Sequence, residues 1–343
     1  MFYWQSDRPY THQQINEIFL QRRLSYKKEE LIEVIQKVMH QKVVKLDPPI
    51  NQGSVNLVCP FVLSNDFEGV IRVHPPQANN SYFHVEKLVM DLASKNGVPT
   101  AEVLTVDDTR EIAPFDYMIM TKIQGEVLRV TIEHNPDIHP IYLNQIGKYM
   151  ALIHQISTVG YGFFDNNLAA KGVLRGQYLS NEDHYQSALD LDKHFHFKED
   201  VHFDIELVEK SFQILERNIK VAECKNPVLI HNDIADWNTV VSNNIVTGIM
   251  DWDECFSGDP VFEFATLGLF YDGYQMKEIL DGYKKILDLP PDFNDKIDLY
   301  TLRYIINKSK IALTKIKYAE KTSMHAWLAG AKDKLIKIIE KIG

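Results

Sequence analysis

The pattern of hydrophobic and polar positions changes character about a third of the way along the chain. Short runs rich in apolar and β-branched residues at 54–63, 69–73, 102–106 and 116–122 predict strands. Between the second and third runs, apolar residues recur along one face of 81–96, which predicts a helix. The first part of the chain is therefore expected to form an antiparallel sheet with one helix.

Helical periodicity dominates the rest of the chain. An earlier helix is predicted over 11–40, and another over 143–157. A short pair of strands is predicted at 228–231 and 239–251, the second interrupted by a turn signal, and the sequence beyond Pro260 is helical in pattern to its end. We expect an α+β fold with two lobes: a small β-rich lobe over 1–122, including a helical extension over 1–47, and a larger, mainly α-helical lobe over 123–343.

The length of 343 residues favours two lobes, and the charge is unevenly distributed. The chain has a net charge of −10, yet its last 43 residues hold ten basic and three acidic residues, which leaves −17 on the preceding 300. An acidic body disfavours nucleic acid as a partner, because nucleic-acid binding requires clustered Lys and Arg, and it is compatible with a cationic small molecule.

Several features favour a cytoplasmic protein that is not inserted in a membrane. The three cysteines lie far apart and lack metal-ligand spacing, as expected of reduced thiols. The first eight residues contain no apolar segment typical of a secretory signal, and no run of eighteen apolar residues occurs.

The most informative stretch is residues 228–238, VLIHNDIADWN, followed by IMDWD at 249–253. An apolar strand ends in His231-x-Asp233, Asn238 follows five residues after that aspartate, and a second strand ends in Asp251. Phosphoryl transfer to an alcohol requires a carboxylate that accepts the hydroxyl proton, and oxygen ligands that hold Mg²⁺ against nucleotide phosphates. These residues meet both requirements, whereas an ordinary polar turn between strands is the simpler alternative.

The sequence here resembles the aminoglycoside phosphotransferase and choline kinase family, which has a protein-kinase-like fold. His231, Asp233 and Asn238 match the family's His-Gly-Asp-x4-Asn block, and residues 249–253 match its second aspartate block. A third segment, 258–265, is similar to the family's Gly-Asp-Pro-x-x-Asp-Leu-Ala sequence. The resemblance implies that Asp233 is the catalytic base, that His231 orients it, and that Asn238 and Asp251 bind the metal ion.

The chain departs from the family pattern at two positions. Asn232 stands where the family has glycine, so a positive φ there would fall on the next most tolerant type of residue. Glu263 stands where the family has aspartate and is one methylene longer, so its hydrogen bonds to the catalytic loop are expected to be rearranged.

The resemblance also implies a nucleotide site in the first lobe, for ATP or GTP with Mg²⁺. Gly53, Ser54 and Asn56 are similar to the family's phosphate loop, although a plain turn has the same pattern. Arg72 and Glu86 occupy the positions of the cation on the third strand and its acidic partner on the helix. The backbone of Met120 and Lys122 would contact adenine. No P-loop motif occurs in the sequence.

The acceptor is expected to be a small-molecule alcohol, because the arginine before the base and the Ala-Pro-Glu block of protein kinases are missing. The acidic body favours an aminoglycoside-type antibiotic, with Asp236, Asp253 and Glu254 as candidates to bind its ammonium groups. Choline or another amino alcohol, a sugar and a macrolide are alternatives, as is a kinase-like binding protein without activity. The identity of the acceptor and the hydroxyl that is modified are not encoded in any recognisable motif.

Overall fold

A computed structural model describes residues 26–50, 56–74, 81–193, 204–271, 273–319 and 324–343. The chain begins with α1 (Lys28–Met39) and continues through the following elements in order. These are β1 (Val43–Leu46), β2 (Leu57–Leu63), β3 (Glu68–Val73), α2 (Phe83–Lys95), β4 (Val103–Asp107), β5 (Tyr117–Thr121), β6 (Glu126–Val127), α3 (Leu128–His134), α4 (His139–His154), β7 (Tyr161–Phe164), α5 (Asn166–Ala169) and β8 (Gly176–Tyr178). They are followed by α6 (Asn181–Lys193), α7 (Ile205–Arg217), β9 (Val228–Ile230), β10 (Thr239–Ser242), β11 (Ile245–Ile249), β12 (Phe256–Gly258), α8 (Val261–Leu267), α9 (Gly273–Tyr283), α10 (Phe293–Ala319) and α11 (Met324–Ile342).

The N-terminal sheet is antiparallel throughout, with the strand order β1-β2-β3-β5-β4. Alternation along β3 and β5 places Ile71 opposite Ile119 on one face and Arg72 opposite Met118 on the other. The first face packs against α1, and the second shares a hydrophobic core with α2. Arg72 therefore lies between the sheet and α2, where a cation can reach a carboxylate on that helix.

The predicted strand–strand–helix–strand–strand order agrees with β2, β3, α2, β4 and β5, and the end of β5 at Thr121 lies next to the proposed lobe division after residue 122. Of the helix expected over 11–40, the described residues contain Lys28–Met39, whereas residues 11–25 lie outside them. The hairpin expected near residue 243 is present, since β10 pairs with β11 around Asn243 and Asn244, both at positive φ.

The expected pairing of 228–231 with 239–251 is wrong. β9 pairs with β12 in the sheet β8-β7-β12-β9, whereas β10 lies between β11 and β6 in a separate sheet. These short strands carry few residues, so their partners depend on the packing of the whole C-terminal part rather than on their own pattern. Because β9 and β11 end in the same region, the loops that follow them can meet.

The core of the C-terminal part is formed by the apolar faces of α4, α8 and α10 together with the central strands. Gly147 of α4 and Gly282 of α9 each allow a close approach, because a Cβ there would lie 1.9 Å from a backbone oxygen of the facing helix. Among the described residues, no helix is both long and apolar enough to cross a bilayer.

Candidate active site

The loop after β9 is held by a buried carboxylate on α8. Glu263 is fully buried, and its side chain accepts hydrogen bonds from the backbone N–H of His231 at 3.3 Å and of Asn232 at 2.8 Å. Its Oε2 also lies 2.9 Å from Nε2 of His154 on α4. Burial raises the pKa of Glu263, but hydrogen bonds and the His154 ring outweigh burial and lower it. The longer side chain at this position thus serves to fix the catalytic loop.

We expect Glu263→Ala to lower the free energy of unfolding by about 3–5 kcal/mol, because it leaves buried donors without an acceptor and opens a cavity. Urea denaturation followed by circular dichroism measures this loss. The control Glu216→Ala removes a half-exposed ion pair with Lys193 and is expected to cost at most about 1 kcal/mol. Equal losses in the two variants would show that Glu263 does not hold the loop.

Asp233 presents one bonded and one free carboxylate oxygen. Oδ2 accepts hydrogen bonds from Nδ2 of Asn238 at 2.7 Å and from Nε1 of Trp237 at 3.4 Å. Within the described part of the chain, Oδ1 has no hydrogen-bond partner. Burial raises the pKa of Asp233 to about 7, and the positive charge of Lys308 opposes that rise. A carboxylate with one fixed oxygen and one free oxygen is suited to accept a proton from an incoming hydroxyl group.

His231 is fully buried beneath Asp233. Its Nε2 lies 3.1 Å from the carbonyl oxygen of Met250, and its Nδ1 accepts the backbone N–H of Asp233 at 3.3 Å. Burial lowers the pKa of His231, so the neutral ring that donates from Nε2 satisfies both contacts. This geometry agrees with an orienting role, because the ring ties the loop of Asp233 to the loop of Asp251.

Asn238 belongs to the loop that contains Asp233, and Asp251 belongs to the loop after β11. The backbone N–H of Met250 donates to the carbonyl oxygen of Asn238 at 2.8 Å, which links the loops directly. The amide nitrogen of Asn238 is used by Asp233, which leaves its side-chain oxygen available. Asp251 has a left-handed backbone, with φ at 63°, and its carboxylate is 45% exposed. One amide oxygen and one exposed carboxylate fit Mg²⁺, which takes its remaining ligands from phosphates and water.

Arg72 connects the N-terminal sheet to this site. Its guanidinium forms an ion pair with the fully buried Glu86 of α2 and reaches Oδ1 of Asp251 at 3.5 Å. Burial raises the pKa of Glu86 while the charge of Arg72 opposes the rise. Arg72 and Glu86, the predicted cation and its acidic partner, therefore form an ion pair, and Arg72 also contacts the loop of Asp251.

The other predicted nucleotide contacts are less well supported. Gly53 and Ser54 lie outside the described residues. Asn56 is buried, and its Oδ1 lies 2.9 Å from Nδ1 of His74, so its side chain contacts the protein interior. Met120 is a strand residue opposite Val70, and the N–H of Lys122 donates to Glu68, so that donor is already used within the sheet.

Two of the three carboxylates predicted to bind a cationic acceptor are paired with cations of the chain. Asp236 accepts from Nε and Nη2 of Arg129 at 3.1 and 2.9 Å. Glu254 lies 3.6 Å from Nζ of Lys308. Burial and the neighbouring Asp251 raise the pKa of Asp253 well above its ordinary value. The negative charges of Asp236 and Glu254 are thus balanced by Arg129 and Lys308, and the sequence did not indicate these pairs.

Sequence reasoning assigned no role to several residues around the loop of Asp233: Arg129, Trp237, Tyr304 and Lys308. Trp237 lies four positions after Asp233 in the same motif, and this proximity could have identified it, since its indole N–H reaches the carboxylate. Arg129 stacks 4.5 Å from the centre of the Trp237 ring. Tyr304 and Lys308 lie more than 70 positions from Asp233, and no local pattern identifies them.

His184, Phe163 and Phe164 contribute to the core of the C-terminal part. His184 is buried against the rings of Tyr178 and Phe256. Phe163 and Phe164 are buried in β7. Among the described residues, no group of three or more His, Cys, Asp or Glu side chains could hold a metal ion.

A model described as the phosphotransferase enzyme family matches residues 48–292. Among curated proteins, no sequence matches this chain. Three solved structures have the same fold as the chain. A thermostable mutant of aminoglycoside phosphotransferase APH(4)-Ia, in a ternary complex with ADP and hygromycin B, has a TM-score of 0.64 at 19% identity and covers 89% of this chain and 97% of its own.

The macrolide 2'-phosphotransferase MphH from Brachybacterium faecium has a TM-score of 0.60 at 14% identity, with coverage of 88% and 97%. The GDP and kanamycin complex of APH(2")-IIia has a TM-score of 0.62 at 14% identity, with coverage of 92% and 99%. These likenesses confirm the predicted fold class, a protein-kinase-like mixture of helices and sheet with an antiparallel N-terminal sheet.

Proposed function

The chain belongs to the phosphotransferase enzyme family, and we propose that it transfers the γ-phosphoryl group of ATP to a hydroxyl group of a small molecule, with Asp233 as the base. Family membership confirms the resemblance drawn from the sequence and the prediction of an enzyme. The observation that carries the proposal is the convergence of Asp233, Asn238 and Asp251, joined by the bond between Met250 and Asn238 and met by Arg72.

In the proposed reaction, Oδ1 of Asp233 accepts the proton of the acceptor hydroxyl while the hydroxyl oxygen of the acceptor attacks the γ-phosphorus. The bond to the bridging oxygen breaks, and the nucleoside diphosphate leaves. Asn238 keeps the carboxylate in place through its Nδ2. Bound Mg²⁺, held by the side-chain oxygens of Asn238 and Asp251, would supply positive charge against the phosphates. Arg72 orients Asp251 and adds a further positive charge.

We propose ATP as the donor, with GTP as the alternative, since the similar structures described above contain ADP or GDP. The reduced cysteines and the use of a nucleoside triphosphate are consistent with a cytoplasmic enzyme. The presence of all three oxygen-bearing side chains argues against a binding protein without activity.

For the acceptor, we propose an aminoglycoside-type compound. The acidic body of the chain supports it, as do similar structures with hygromycin B and kanamycin. A neutral sugar or a macrolide is the second candidate. It is favoured by the pairing of Asp236 with Arg129 and of Glu254 with Lys308, because paired carboxylates are less available to bind ammonium groups.

An acceptor panel tests the proposal. The protein is incubated with MgATP or MgGTP and kanamycin, hygromycin B, erythromycin, choline or glucose, and both nucleoside diphosphate and the mass of a phosphorylated product are measured. We expect one phosphoryl group to be added to an aminoglycoside. Transfer to glucose alone would support a neutral sugar, transfer to erythromycin alone a macrolide, which carries a single amine, and transfer to choline alone the amino alcohol. The absence of product and of released diphosphate with every compound would contradict the enzymatic proposal.

A further inference from the structure

Asn232, the residue before the base, has an energetically unfavourable backbone conformation. Its φ is +70°, in the left-handed region, which residues other than glycine adopt less readily, although asparagine is among the more tolerant of them. The residue is nevertheless almost fully buried and is hydrogen-bonded through both its backbone and its side chain. This arrangement fixes the direction in which the chain enters Asp233.

The side-chain contacts of Asn232 lead to α10. The hydroxyl of Tyr304 donates to Oδ1 of Asn232, and Thr266 approaches the same oxygen at 3.5 Å. On the other side of the amide, Nδ2 donates to the backbone oxygen of Glu254 at 3.3 Å and to its Oε2 at 3.2 Å.

Lys308, one turn after Tyr304 on the same helix, completes this cluster. Its Nζ lies 3.6 Å from Oε2 of Glu254 and 5.4 Å from the centre of the Tyr304 ring. Residues four positions apart on a helix share a face, so a single face of α10 contacts Asn232 directly and through Glu254.

We propose that Tyr304 and Lys308 are positioning residues for Asp233, which act through Asn232 and Glu254 to hold the base in its reactive orientation. This inference rests on the proposed role of Asp233 as the base. It explains how the chain uses asparagine where its family has glycine: the side chain adds hydrogen bonds that glycine lacks, and their partners are Tyr304 of α10 and Glu254. Transfer is sensitive to such positioning, since a displacement of about 1 Å can cost a hundredfold in rate.

Tyr300 provides a matched control. It lies one turn before Tyr304 on α10, is equally buried, and both rings contact Phe262, with centroids at 5.0 and 5.2 Å. Its hydroxyl, however, is bonded to Asp259 and Asn181 rather than to the loop of the base. Tyr300→Phe thus removes a buried hydroxyl from the same helix without touching Asn232.

The test is a double-mutant cycle with Tyr304→Phe and Asn232→Gly, assayed with MgATP and the acceptor that the panel identifies. Tyr304→Phe is expected to lower kcat about tenfold, with the KM for ATP changed by less than about twofold. In the Asn232→Gly background it is expected to have no further effect, because its partner is gone. Tyr300→Phe is expected to lower the melting temperature and to leave kcat unchanged.

Lys308 is tested by rescue. Lys308→Met is expected to lower kcat by about tenfold, and Lys308→Arg to restore most of it, because the charge beside Glu254 is kept. The control is Lys310→Met on the same helix, where a similarly half-buried lysine pairs with the buried Asp192 at 2.6 Å. It is expected to lower stability and not kcat.

The outcomes separate this inference from the proposed function. If the unaltered protein transfers no phosphate, the proposed function fails and this inference with it. If the protein is active and Asp233→Asn is fully active too, the proposed role of Asp233 as the base fails, and this inference with it. If Asp233→Asn is inactive while Tyr304→Phe keeps full kcat, or lowers kcat equally in both backgrounds, the positioning role alone is overturned. If Lys308→Met does not fold, the Tyr304 cycle decides the question.

Discussion

Asp233→Asn is expected to lower kcat by a factor of about 10²–10⁴ and to leave the affinity for ATP nearly unchanged. The asparagine keeps the shape of the side chain and can still accept the hydrogen bond from Asn238, but its amide cannot take a proton from the acceptor. Since Asp233 is the only described carboxylate bonded to Asn238, no neighbour replaces it. Steady-state assays of diphosphate release measure kcat, and calorimetry measures nucleotide binding.

The control for this variant is Asp281→Asn, which changes an exposed aspartate paired with Lys277 on α9 and is expected to be fully active. A kcat equal to that of the unaltered protein in Asp233→Asn would remove the base from the proposal. A large loss of ATP affinity would instead point to a role of Asp233 in binding the nucleotide.

Asp251→Asn is expected to weaken the binding of MgATP at least about tenfold, because a charged oxygen ligand is lost from a site that offers one carboxylate and one amide. ATP affinity measured in EDTA is expected to stay nearly the same, since this affinity does not depend on the metal ion. The difference between the two affinities, determined by calorimetry, isolates the contribution of Mg²⁺. An unchanged difference would contradict the ligand role of Asp251.

The residues proposed to carry the chemistry were recognisable in the sequence because they are close along it. Asp233 and Asn238 are separated by five positions, and Asp251 lies two residues after the end of β11, so a linear pattern contains all three. The elements around them were predictable for a similar reason: the periodicity of apolar residues defines a helix or strand before any partner is known. The main helix and strands of the N-terminal part agree with this expectation, as does the hairpin at Asn243.

The pairing of the carboxylates predicted to bind a substrate could not be predicted from local sequence patterns. The sequence pattern alone predicts that Asp236 and Glu254 are exposed acidic residues. In the structure, Asp236 pairs with Arg129, 107 positions away, and Glu254 pairs with Lys308, 54 positions away. The partners of β9 and β10 were likewise not predictable, because strands of three or four residues take their place from the packing around them.

By itself, the sequence indicated the fold class through the periodicity of its apolar residues. Its short motifs carried the resemblance to the family and, through that resemblance, the three side chains proposed as base and metal ligands. Only the tertiary structure decided which carboxylates near Asp233 are paired with cations and which contacts hold the left-handed backbone of Asn232. It also placed Tyr304 of α10 against Asn232, the residue before Asp233. Those features depend on groups brought together from distant parts of the chain. The energy of a buried charge or hydrogen bond depends on its spatial neighbours, and these are set by packing rather than by position along the chain.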